Sequence, residues 1–142
     1  MAFATKTSHG LLALLELAGA AAGGGRLATG EIARRQGIPE RYLEQVMAGL
    51  RRGALVRSVR GPQGGYELAR PAERITVAQV VQCLQETRDS PTPEPATPEQ
   101  EVIGQLAAEL EMQWLSQLES TSLAALSAQR NALLQSQAMY FI

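Results

Sequence analysis

The chain has 142 residues, of which 45% are hydrophobic and 19% charged, with a formal net charge of −1. That balance is ordinary for a globular protein and not a disordered one, and the length gives one compact domain with room for an added pairing element. A single cysteine excludes a disulfide framework or a Cys-rich metal cage within one chain, and 4% aromatics beside abundant Ala and Leu favour helices over a sandwich or barrel. One cysteine fits the reducing cytoplasm, which is the expected compartment, and no run of 18 uncharged apolar residues marks a membrane span.

The small net charge hides a division. Residues 26–74 hold ten Arg and no Lys against five Glu, whereas residues 75–142 hold two Arg against eight acids. A basic module beside an acidic one points to a polyanion-binding face confined to one part of the molecule. Charge runs alone are usually solvated surface, so the elements must carry the argument.

Thr5 is placed to cap a helix running to about Ala18, with Leu11, Leu14, Leu15 and Ala18 on one face. Gly10 lowers its propensity and suits close approach of another backbone. Lys6 ahead of LLALLELAGAAA resembles a signal peptide, but Glu16 interrupts the run and the basic module begins within ten residues of its end. Gly19–Gly25 reads as a flexible surface connection. A short amphipathic helix starts at Ala28 or Thr29 and carries Glu31, Ile32, Ala33 and Gln36. Gly37 then supplies the residue most easily placed at positive φ, and Pro39 pre-sets the first turn of the next helix.

In that helix, Glu40–Arg52, Leu43, Val46, Met47 and Leu50 recur at three- and four-residue spacing, opposite Glu40, Arg41, Glu44, Gln45, Arg51 and Arg52. Alone it is an ordinary amphipathic helix. The adjoining segment shifts the balance: strand-like runs Leu55–Arg60 and Tyr66–Ala69 flank Gly61-Pro62-Gln63-Gly64-Gly65. Helix, turn, helix and a basic hairpin make a winged helix-turn-helix, and Arg60 beside a glycine-rich tip suits a narrow minor groove. The glycine-rich tip lacks the lysine of a phosphate-binding P-loop, and no helix starts at its end.

After Pro71, Thr76 and Gln79 have capping-box spacing, and Val77, Val80, Val81 and Leu84 form the apolar face of a fourth helix. Residues 87–98 hold four of the seven prolines and read as an extended linker. From about Glu99 to Leu118, a stripe of Val102, Ile103, Leu106, Leu110, Trp114 and Leu118 exceeds what a small winged domain can bury, so it is expected to pair with a second copy. Ser120 or Thr121 is placed to cap a last helix around Leu123–Leu134, and the apolar ending Met139–Ile142 fits docking on a partner subunit. The organisation expected is 1–86 DNA-binding domain, 87–98 linker and 99–142 dimerisation and C-terminal helices, a mainly α fold with one small β-hairpin.

The stretches TKTSHGLLALLELA, EIARRQGIPERYLEQVMAGLRRGALVRSVRGPQGGYELARP and ITVAQVVQCLQE resemble the Rrf-type winged-helix transcriptional regulators, relatives of the iron–sulfur cluster assembly regulator. The resemblance is close over residues 1–86 and looser from residue 99. It implies a homodimer on double-stranded operator DNA, with the long helix crossing between subunits. Helix Glu40–Arg52 would then enter the major groove and the wing from Arg60 through Gly61, Gln63 and Gly64 the minor groove. Arg41, Glu44 and Gln45 become candidates for base edges, with Tyr42 beside them, and Lys6, Arg51, Arg52 and Arg57 for phosphates.

Many relatives hold an iron–sulfur cluster on three cysteines between the fourth and long helices. Here that interval is TRDSPTPEPATP, with neither Cys nor His. A cluster needs about four ligands, usually thiolates, so no cofactor is expected. Cys83 reads first as a small core residue and secondarily as a thiol switch; His9 reads as a helix residue or the mark of an effector pocket. The expected function is a cytoplasmic, homodimeric, cluster-free repressor with an unidentified effector. A winged-helix module docking a protein partner is the alternative. Ser8, His9 and Cys83 lack nucleophile–base–orienter spacing, which argues against an enzyme.

Overall fold

The computed structural model describes residues 3–84 and 93–139. Helix α1 (Thr5–Ala22) runs through strong helix formers and stops at the glycine run, where the Gly23 N–H donates to the Ala20 carbonyl. The helix is a turn longer than expected, so Gly19 is helical. Its N-cap is Ala4 and Thr5 makes no cap, a departure from the expected start. The buried face is Thr7, Gly10, Ala13, Leu14 and Leu17, while Leu11, Leu15 and Ala18 only flank the core. The face turns this way because Gly10 leaves room for a neighbour: a Cβ there would fall on the Leu84 side chain and lie 3.6 Å from Val46 Cγ1. Side chains, not a second backbone, use the space.

Helices α2 (Thr29–Gln36) and α3 (Glu40–Arg52) are joined by Gly37 at φ 66°, the left-handed turn that glycine adopts at least cost. The Ile38 N–H closes back on the Ala33 carbonyl at 3.0 Å. Pro39 sits one residue ahead of α3 and not in its first turn; its carbonyl accepts from the Leu43 N–H. Leu43, Val46, Met47 and Leu50 are fully buried. Each such side chain contributes roughly 1.5–3 kcal/mol of transfer free energy, so the rotation of α3 about its axis is set by its apolar face.

The wing is the antiparallel pair β1 (Val56–Val59) and β2 (Gly65–Leu68), in register Val56↔Leu68 through Val59↔Gly65. Both strands are shorter or shifted relative to the runs read from sequence. The segment after α1 also takes part: Leu27 and Tyr66 exchange two backbone hydrogen bonds of 2.7 and 3.1 Å. Two residues past the expected connection, the chain thus adds a short third edge to the wing.

A 3-10 turn, Ala72–Arg74, leads into α4 (Val77–Leu84). The capping box is present: Gln79 N–H donates to Thr76 Oγ1 at 3.2 Å and Thr76 N–H to Gln79 Oε1 at 3.0 Å. Residues 85–92, which include half of the expected linker, lie outside the described residues, as do residues 140–142. Helix α5 (Pro98–Ser120) is capped by Thr97, which accepts from the Gln100 N–H, and Pro98 is its first residue, where no N–H is needed. The linker therefore ends before Pro98.

Helix α6 (Leu123–Met139) is longer than expected. Ser122 caps it, its Oγ accepting from the Ala125 N–H; Ser120 and Thr121 instead donate their hydroxyls to the Gln117 carbonyl. Val77 N–H bonds to the Thr121 carbonyl and Leu123 N–H to the Ile75 carbonyl, tying the starts of α4 and α6 together. Arg130 Nη1 donates to the Leu15 carbonyl at 2.8 Å, which fastens α6 along α1. Leu123 lies in the main core, and Leu118 packs with Val77, Ala78 and Val81.

Leu118→Ala is expected to lower stability by about 2–4 kcal/mol, read from the urea midpoint. A change below about 0.5 kcal/mol would place Leu118 outside the core.

Candidate nucleic-acid interface

With its apolar side held by the core, α3 turns Arg41, Glu44, Gln45, Arg51 and Arg52 to solvent. Residues three and four apart share a helix face, so Arg41, Glu44 and Gln45 form one patch, continued by Arg51 and Arg52 in the last turn. Among the described residues none of Arg41, Arg51, Arg52 and Arg60 is ion-paired. Their charge is free to meet a polyanion. Tyr42 departs from the patch: it is half-buried against the core, and its ring meets His9 edge-on at 5.4 Å between centroids.

The wing is seated directly on α3. Ala54 takes a left-handed φ of 60° immediately after the helix, and Leu55 N–H bonds to the Leu50 carbonyl at 3.0 Å. A non-glycine residue in that region costs roughly 1 kcal/mol, and it reverses the chain into β1. Arg60 stands exposed at the far end of β1, with Gly61 next at φ 120° and a Gly64 N–H to Gly61 carbonyl bond of 2.9 Å. Gly61 and Gln63 are exposed at the tip, and Gly64 is half-buried.

Two expected contacts are more engaged by their surroundings than the rest. Arg57 is placed at the wing's base with its Nε 2.7 Å from Glu67 Oε1, a cross-strand ion pair, so it is not an unengaged phosphate contact. Lys6, in the first turn of α1, is half-buried. The arginines of α2 are likewise engaged: Arg34 and Arg35 both bind Glu31, and Arg35 and Gln36 bind Glu16 of α1. Hydrogen bonds from Arg34 and Arg35 hold the Glu31 carboxyl down at about 2 from its ordinary 4.5. The surplus of arginine in residues 26–74 thus splits into a structural set on α2 and a free set on α3 and the wing tip. Composition could not reveal that split; the Glu31–Arg35 i,i+4 spacing was its one visible trace.

On α5, Val102, Ile103, Leu106, Leu110 and Trp114 are 36–63% exposed, whereas Leu118 is 4% exposed and belongs to its own chain's packing. Met112 and Leu115 are also exposed but, by helical spacing, lie on the opposite side of α5 from the stripe. Trp114 is steadied by Phe3, 5.7 Å away between ring centroids. Leu133, Leu134 and Met139 of α6 are also exposed.

A model of the Rrf2 family, described as an iron-dependent transcriptional regulator, matches residues 3–129. The chain belongs to the Rrf2 family of transcriptional regulators. Among relatives, it is 46% identical over 88 residues to the HTH-type transcriptional regulator IscR of Cereibacter sphaeroides, covering 61% of this chain and 57% of that one. The chain thus spans little more than half of that relative's length. Among solved structures, IscR of T. potens superposes with a TM-score of 0.75 at 33% identity, covering 90% of this chain and 87% of that one. CymR, the global cysteine regulator of B. subtilis, gives 0.72 at 30% identity, covering 89% and 95%. Winged-helix architecture is common to the family, and no helix among the described residues is long and apolar enough to cross a membrane.

The residues present do not fit a thiolate-held iron cluster. Cys83 is the sole cysteine, and its sulfur packs where a Cβ on Gly53 would fall. Burial pushes its thiol up, against a smaller opposing effect of Arg70, so it is a neutral core neighbour and not a ready thiolate. Among the described residues no three His, Cys, Asp or Glu side chains converge on a point, and residues 85–92 contain neither Cys nor His. His9 contributes one imidazole, whose Nδ1 is buried beside Tyr42 without a hydrogen-bond partner among the described residues.

Because the Glu31 carboxyl is lowered, its ion pairs add stability above about pH 4.5 and lose it as pH falls toward 2. Thermal melts of Glu31→Gln should therefore lie below wild type at pH 7 and converge with it near pH 2. Parallel curves across that range would contradict the assignment.

Proposed function

We propose that this chain is a cytoplasmic, homodimeric, sequence-specific DNA-binding regulator that represses transcription without an iron–sulfur cluster. The observation that carries the reading is the unpaired face of α3, Arg41, Glu44, Gln45, Arg51 and Arg52, continuous in sequence with a wing that ends in Arg60. Arg41 is suited to guanine, Gln45 to adenine and Glu44 to cytosine N4, all in the major groove. Arg51 and Arg52 are suited to phosphates, which add affinity and salt dependence but no sequence information. Arg60, beside the Gly61–Gly64 tip, is suited to the narrow, negative minor groove.

The bare stripe of α5 is the pairing surface. Val102, Ile103, Leu106, Leu110 and Trp114 form an apolar face larger than isolated surface residues make, and a two-fold axis along it would place two α3–wing units on one side of a duplex. Residues 1–86 supply the reading head, the linker spans 87–97, and α5 with α6 supplies the pairing and return helices. The absence of a thiolate donor set supports operation without a cluster.

Fluorescence anisotropy on DNA from upstream of the protein's own gene, against scrambled DNA at several salt concentrations, tests the reading. We expect tighter binding to the native sequence and a steep loss of affinity with salt. Equal, salt-insensitive binding to both would favour docking of a protein partner. Arg60→Ala is expected to weaken native-sequence binding about 10-fold or more at fixed salt; unchanged affinity would remove the wing from recognition. Sedimentation equilibrium should give a dimer mass for wild type and a monomer mass for Leu110→Glu. A monomeric wild type would refute pairing through α5.

A further inference from the structure

We infer that the cleft between the wing's base, the C-terminal turns of α1 and the first turns of α6 binds a small zwitterion of the amino-carboxylate class. The cleft is open to solvent and has a volume of about 590 Å³, within the range of small-molecule sites. Its walls carry alanines such as Ala18, which leave space, and five polar side chains: Arg57, Arg70, Glu73, Ser127 and Asn131.

The chemistry of those five selects the ligand. Arg57 uses its Nε on Glu67, which leaves its terminal amines for another acceptor. Arg70 has only a long 3.4 Å contact from its Nε to the Ala54 carbonyl, so its fork can take a carboxylate in two-point fashion. Glu73 offers a carboxylate to an ammonium group. Asn131 Oδ1 already accepts from Arg130, and Ser127 Oγ lies 3.5 Å from the same guanidinium, so α6 presents a held polar edge. The cleft's charged lining is Arg57, Arg70 and Glu73, with Arg57 also paired to Glu67 behind it, so a ligand carrying both a carboxylate and an ammonium finds a partner for each charge. A simple dianion would leave Glu73 facing like charge.

The position gives binding a consequence. A carboxylate that accepts from the terminal amines of Arg57 shares that guanidinium with Glu67, the cross-strand partner that braces the wing, and the same ligand bridges to α6. The regulatory meaning rests on the proposed DNA-binding function, whereas occupancy of the cleft does not, so the test is made without DNA.

Thermal melts of the full chain are recorded with each common amino acid, then with the deaminated acid and the decarboxylated amine of any that acts. At about tenfold over Kd at least one amino acid should raise Tm by roughly 3–6 °C, and neither the acid nor the amine alone should do so. The rise should be lost in Arg70→Gln and in Glu73→Gln, whose unliganded melts report that they fold, and retained in Arg26→Gln, outside the cleft. No shift with any amino acid overturns the proposal. So does an equal shift with the deaminated acid, or a shift that survives Arg70→Gln.

Discussion

Everything the molecule offers to a partner depends on how α3 is held. Leu43, Val46, Met47 and Leu50 sink completely into a core built by α1 and α4, and Gly10 lets Leu84 close over that joint. A rotation of α3 by one residue, about 100°, would pull these side chains out and cost several times the net effect of any surface contact. The outer face is therefore fixed by the inner one. The wing inherits the same constraint, because the Leu55–Leu50 backbone bond and the left-handed Ala54 launch β1 directly from the end of α3.

Charge is distributed on that frame by pairing. Glu16 and Glu31 engage the α2 arginines, and Glu67 engages Arg57, whereas Arg41, Arg51, Arg52 and Arg60 have no carboxylate at hand among the described residues. Exposed ion pairs contribute little to stability, commonly below about 1 kcal/mol each. Their larger effect here is on the field, since they cancel positive charge around α2 and concentrate it on α3 and the wing tip. A long-range basic potential becomes a directed one, as association with a polyanion requires.

Much of this is legible in the sequence. The apolar period of α3, the Gly37 turn, the Thr76–Gln79 box and the glycine-rich tip each encode local geometry directly, and each has its expected place. The features that escape a sequence reading depend on tertiary neighbours. The buried face of α1 differs from the expected one because leucines outweigh Gly10 in any hydrophobic count, although packing favours the small residue. Leu118 continues the α5 stripe in sequence but meets Val77, Ala78 and Val81 in space. Arg57 and Arg60 look alike in a strand pattern; only the register that sets Arg57 opposite Glu67 separates them. The anchoring of α6 by Arg130 spans 115 residues and has no local signature.

The most direct test of the central claim, that two α3–wing units held in fixed relation read one duplex, is hydroxyl-radical footprinting on DNA upstream of the protein's own gene. Two symmetric protected zones on one face of the helix, separated by about 10 base pairs or a multiple, with flanking minor-groove protection from the wing, are the predicted pattern. A single short protected zone, or uniform protection without a dyad, would contradict it.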